Sequence, residues 1–185
     1  MAKKEVKTDL WVYDLLKQAE IQLDAQGSNI KEIDEALKTT SKKGTGNVGF
    51  PEYVGATNRN NGILSFVQAD KNLIQKGNAI GFIKNGNGSA GYSIHKTEKF
   101  AATSDVVFGY AEWLNKYIGL FITSCSDMSQ EKYSHGYKWT KERLLKSKII
   151  LPIDEQENPD YEYMEKYSKN LLREKIQNYI SYAVN

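Results

Sequence analysis

Few side chains in this sequence have the type and spacing for chemistry. Two histidines, His95 and His135, and one cysteine, Cys125, stand far apart, so no cluster has the spacing of a metal site. Cys125 reads as a small buried hydrophobe rather than a nucleophile. A two-carboxylate metal nuclease needs an acid followed at a distance by Glu/Asp-x-Lys, which holds a divalent ion on hard oxygens with a lysine beside the attacking water. The only Glu-x-Lys is Glu5-Val6-Lys7, near the N-terminus and without a strand pattern around it. Gly86-x-Gly88-x-x-Gly91 has the lettering of a dinucleotide-binding loop. The next element along the chain, Tyr92–His95, reads as a strand rather than a helix opening on a pyrophosphate. A hairpin loop is the preferred reading. The sequence thus offers no catalytic residue, no metal ligand and no cofactor site.

Charge is informative only locally, since the formal net charge is +2. Between Ser129 and Lys148 six bases (Lys132, Lys138, Lys141, Arg143, Lys146, Lys148) face two acids, Glu131 and Glu142. From Asp154 to Glu165 there are six acids and no base. The asymmetry points to one face for phosphates and another for a different partner. With 185 residues, 40% of them hydrophobic and 26% charged, the chain has the composition of an ordinary soluble globular protein that needs no staple. No apolar run approaches the roughly 20 residues that span a bilayer, so no membrane role is expected. Met1-Ala2-Lys3-Lys4-Glu5 lacks the apolar stretch of a secretory signal. A single cysteine makes no internal disulfide, so the expected compartment is the reducing cytoplasm.

The elements that must position any site fall into three parts. Residues 8–20 have the periodicity of an amphipathic helix, and a shorter one is expected over Asn29–Thr39 with Ser28 as its N-cap. Residues 41–47 read as a loop or a join. From Val48 to about Phe108 glycines recur between β-prone runs: Ile63–Val67, Ala79–Ile83, Tyr92–His95 and Asp105–Tyr110. Asn61-Gly62 and Asn85-Gly86 are turn dipeptides able to supply positive φ. Helical spacing returns near Ala111, with Trp113, Leu114, Tyr117, Ile118 and Phe121 on one face. Lys138–Lys146 reads as a short basic helix or turn, and Ile149-Ile150-Leu151 as a strand. Residues 160–183 carry the strongest helical pattern. The expected fold is α+β, a small glycine-rich twisted sheet with N-terminal helices and a long C-terminal helix. Its parts are a helical N-terminal segment (1–47), a central domain (48–158) and a C-terminal helix (159–185).

Over about Phe50–Lys169 the chain resembles the target recognition domain of type I restriction specificity subunits. Four blocks in that family's order carry the resemblance. They are Tyr53-Val54-Gly55-Ala56-Thr57-Asn58-Arg59-Asn60-Asn61-Gly62-Ile63, the glycine-rich Gly81–Tyr92, Phe100-Ala101-Ala102-Thr103-Ser104-Asp105-Val106, and Lys132–Trp139 followed by Lys148–Ile153. The first residues resemble something else. Lys7–Leu16 and Gly27–Ile33 are similar to the start of a restriction nuclease–methyltransferase polypeptide, in which Pro51-Glu52 would be the first acidic motif. No Glu-x-Lys comes after it, so that nuclease-like start is incomplete.

The resemblance implies a non-catalytic reader of double-stranded DNA that directs a DNA adenine methyltransferase subunit. Base edges are read by amide and guanidinium groups held on loops, Asn pairing with adenine and Arg with guanine. Arg59, Asn60 and Asn61, and the tip carrying Lys84, Asn85 and Asn87, offer such groups, though turn formation competes for Asn61 and Asn85. Lys132, Lys138, Lys141 and Arg143, interleaved with Tyr133 and Tyr137, would grip phosphates; alternatively they form a solvated face. The C-terminal helix is expected to dock on the methyltransferase or on the same helix of a second copy, giving a homodimer; the competing reading folds it back on its own sheet. Two other functions stand beside this one: a nuclease-derived fragment in which Glu52 binds metal, and a functionless remnant.

Overall fold

The structure, a computed structural model, describes residues 50–134 and 136–184. The helices expected over 8–20 and Asn29–Thr39, the loop at 41–47 and His135 lie outside these residues. Six strands are present: β1 (Glu52–Val54), β2 (Ile63–Phe66), β3 (Ala79–Ile83), β4 (Ser93–Lys96), β5 (Phe100–Ala102) and β6 (Val106–Gly109). β3 falls where the sequence puts it, and β2, β4 and β6 match their expected runs to within one residue at each end. β1 and β5 are additional, and each has only three residues, too few for alternation to register.

The strands form two three-stranded sheets rather than one. β1 lies between β2, antiparallel with a bulge at Tyr53/Val54, and β5, which runs parallel to it. β3 lies between β4 and β6, antiparallel to both. Three-residue strands pair locally and do not extend a ladder into a common sheet. The sheets meet in a core of Val54, Ala79, Ile83, Ile94, Phe100, Val106 and Phe108, with the Phe100 and Phe108 rings 4.3 Å apart.

Helices cover the other face of the β3 sheet. α1 (Lys116–Asp127) and α3 (Tyr161–Val184) flank a second core of Ile80, Leu114, Ile118, Ile122, Ile149, Leu151 and Met164. β3, β4 and β6 are therefore covered on both sides, which is why β3 and β6 read as apolar runs and why the polar Ser93, His95 and Lys96 of β4 are buried. The expected start of α1 near Ala111 is corrected to Lys116. Asn115 caps the helix by accepting from the amides of Tyr117 and Ile118, at 2.9 and 3.1 Å. Gly119 lets α1 approach β4, because a Cβ there would lie 2.1 Å from the His95 ring. His95 is buried in this contact. Burial, and then the nearby charges of Lys96 and Lys116, hold its pKa down at about 4.

α2 (Lys141–Lys146) lies inside the expected basic helix, capped by Thr140. The strand expected at Ile149–Leu151 joins no ladder. Ile149 and Leu151 point into the core while Ile150 is 69% exposed, so core contacts rather than strand pairing fix this stretch. The first half of α3 folds back on its own domain. Met164 and Ser168 are buried, Tyr161 stacks on Trp113 at 4.5 Å, and the Asn115 amide donates to Glu165. Farther along, Leu171 and Ile176 are exposed. Among the described residues no helix is long and apolar enough to cross a membrane.

Candidate nucleic-acid interface

The loop joining β3 to β4 is the hub of the candidate site. It is the Gly86-x-Gly88-x-x-Gly91 segment, and it is a hairpin loop, with Gly88 and Gly91 at φ of 72° and 92°. On one side it meets the loop after β1. The Asn58 amide N–H donates to Ser89 Oγ and that hydroxyl donates to Asn58 Oδ1, both at 3.4 Å. Gly86 permits the approach, since a Cβ there would be 2.8 Å from the Ala56 carbonyl oxygen. On its other side lies the basic segment. Trp139 N–H donates to the Lys84 carbonyl at 3.0 Å and Gln130 Nε2 to the Ala90 carbonyl at 3.3 Å. The three segments singled out in the sequence thus converge on one rim.

Within the first loop Asn60, Asn61 and Gly62 all adopt left-handed backbone, with φ of 50°, 50° and 76°. The turn chemistry read from Asn61-Gly62 is present. Asn61 Nδ2 donates inward to the His95 carbonyl at 3.0 Å, so turn structure uses that group. The side chains of Arg59 and Asn60 are exposed. At the hairpin tip Asn85 Nδ2 is likewise engaged, donating to Asp105 Oδ1 at 3.2 Å, whereas Asn87 is exposed and Lys84 half-buried.

The basic segment is mounted on an aromatic ladder. Phe82 meets the buried Trp139 edge-on at 5.3 Å, Trp139 stacks on Tyr133 at 4.8 Å, and Tyr133 on Tyr137 at 6.2 Å. The Arg143 guanidinium lies 3.6 Å from the centre of the Tyr137 ring and donates to the Lys138 carbonyl at 2.6 Å. Ser147 Oγ accepts from Trp139 Nε1, pairs with the Tyr133 hydroxyl and donates to the Arg143 carbonyl, each at 2.8 Å. Lys132, Lys138 and Lys141 are exposed around this scaffold. Sequence reasoning found the cations but missed Trp139 and Ser147, which fix their segment, and Ser89, which holds the loop after β1 through Asn58. The one available signal was a tryptophan inside a basic run.

Glu52, which the nuclease-derived reading assigns to metal, forms an ion pair with the buried Lys96. The pairing gives this carboxylate a structural partner, and the nuclease-derived reading is not favoured. Among the described residues no group of three or more His, Cys, Asp or Glu side chains could hold a metal ion.

The curated proteins and the family models agree on kinship. The specificity subunit S.BcgI of the type II restriction enzyme of Heyndrickxia coagulans is 34% identical over 126 residues, 66% of this chain. The chain spans 35% of that relative's length. No solved structure matches. The match to the family model reaches further than the four sequence blocks, beginning within the stretch likened to a nuclease start. Over residues 24–182 this chain belongs to the family of the type I restriction modification DNA specificity domain.

Proposed function

We propose that this chain reads the sequence of double-stranded DNA for a restriction–modification system, does no chemistry itself, and directs a DNA adenine methyltransferase. The convergence of three segments around the β3–β4 hairpin carries the reading. It presents Arg59, Asn60 and Asn87 on turns beside the cations Lys132, Lys138, Lys141 and Arg143. The turn groups suit base edges and the cations suit phosphates, the division of labour expected of a sequence reader. Asn61 and Asn85 support the loops from within. The Heyndrickxia coagulans relative is itself a specificity subunit. The exposed outer half of α3, with Leu171 and Ile176, would dock on the methyltransferase or on a second copy. Such a complex works in the cytoplasm, where cellular DNA lies.

The test is selection from a random duplex pool at two salt concentrations, with the purified chain alone and with a candidate methyltransferase subunit. Enrichment of a defined motif supports the reading, and a split palindrome adds dimerisation. Binding without a motif that fades with salt in both preparations is phosphate attraction only, and it defeats the proposal.

A further inference from the structure

A lysine with no place in the DNA-facing rim lies beneath it. The Lys96 side chain is only 2% exposed, and its ammonium pairs with Glu52 and donates to the Asn61 carbonyl at 3.2 Å. A buried ammonium is unfavourable unless compensated, so both partners are held where they are. The three residues belong to different elements: Lys96 to β4, Glu52 to β1 of the other sheet, and Asn61 to the loop between β1 and β2. One charge therefore ties both sheets to the loop that carries Arg59 and Asn60.

That loop needs such a tie. Two consecutive asparagines hold left-handed backbone. Such conformations persist only where the surroundings over-determine them, and they gather at functional sites. A second tether, Asn61 Nδ2 on the His95 carbonyl, comes from the residue beside Lys96. Gly62 closes the turn against Val54 and Ile94, leaving no room for a Cβ. The exposed neighbours Arg59 and Asn60 are thus carried on a fixed mount.

Resting on the proposed DNA-reading function, we infer that Glu52 and Lys96 are positioning residues, a buried ion pair that holds the Arg59–Asn60 loop in its reading geometry and so sets base discrimination without touching DNA. The double variant Glu52→Gln/Lys96→Met removes both charges with little change of shape, a replacement that buried pairs tolerate. Motif selection is compared between wild type, this variant and Arg59→Ala, with hydrogen exchange of the Gly62 and Ile63 amides measured on each protein. The double variant should lose about tenfold discrimination, the weight of one good base contact, at the positions that Arg59→Ala also blurs. Its affinity for non-specific duplex at low salt should stay within about twofold, because the phosphate contacts are elsewhere. A folded double variant with the wild-type motif overturns the inference. Should the double variant not fold, Glu52→Gln in an Asn61→Gly background decides. The Asn61→Gly protein keeps the ion pair and loses only the His95 tether. Glu52→Gln placed in it removes the carboxylate charge while keeping an acceptor for the Lys96 ammonium. Discrimination unchanged by that second step overturns the inference, and discrimination blurred by it supports the inference. If wild type enriches no motif, the functional proposal has failed, and exchange decides the inference alone. About tenfold faster exchange of Gly62 and Ile63 in the variant supports a positioning role, and unchanged exchange refutes it.

Discussion

Gly91→Ala is the perturbation whose effect the structure defines best. Gly91 sits at φ of 92°, where an L-residue is strained by about 1–2 kcal/mol. Its new methyl would lie 2.7 Å from Tyr133 Cδ2 and 2.9 Å from the Gln130 carbonyl oxygen. Both distances are far inside the roughly 3.5–4 Å of favourable contact, and overpacking of this kind costs about 1–3 kcal/mol. The total is about 2–5 kcal/mol. Gly88→Ala is the control, since Gly88 also has positive φ, 72°, but a Cβ there meets nothing within 4 Å. It should cost only about 1–2 kcal/mol of backbone strain. Urea unfolding of both variants, analysed with a common slope, gives the difference, expected at about 1–3 kcal/mol. The same clash moves Tyr133 and with it Tyr137 and Arg143, so Gly91→Ala should also weaken duplex binding and Gly88→Ala should not. Equal stabilities and equal binding would refute the packing of the basic segment on the hairpin.

Three further outcomes are expected. Lys138→Ala should weaken binding uniformly across sequences and flatten the dependence of log affinity on log salt by about one, whereas Arg59→Ala should relax one base position at nearly constant slope; titrations at several salt concentrations separate the two. Gly119→Ala should destabilise by several kcal/mol, roughly 2–4, because its Cβ would meet the His95 ring 2.1 Å away inside a packed helix–sheet contact; thermal unfolding reads this directly. Acid should weaken the fold through His95. Its pKa falls from 6.5 to about 4 on folding, so the unfolded chain takes up the proton first and stability drops as pH falls from about 6.5 to 4. The ceiling on that loss is about 3 kcal/mol. The Asp127 carboxyl acts the other way, because burial raises its pKa despite bonds from Ser93. His95→Gln should therefore flatten the urea midpoint between pH 4 and 6.5, and a midpoint with unchanged pH dependence would remove His95 as the cause.

Local chemistry made much of this protein legible from sequence. β3, the positive φ of Asn61-Gly62 and the hairpin at Gly86–Gly91 follow from residue type and spacing alone, because a short apolar β-prone run and turn propensity both act over a few residues. So did the concentration of cations between Ser129 and Lys148 and the four ordered blocks that match the specificity-domain family. Tertiary structure decided what depends on neighbours distant in the chain. β1 and β5 are three residues each and exist only because they pair with each other and with β2. Ile149–Leu151 looks like a strand, yet no ladder edge lies beside it. Glu52 reads as a metal ligand by motif, but a lysine 44 positions later claims its carboxylate. Lys96 reads as an ordinary end-of-strand cation, and only the fold buries it between two sheets and beneath a loop. A sequence records which groups are present, whereas burial and partners set the charge and hydrogen bonding available to each group.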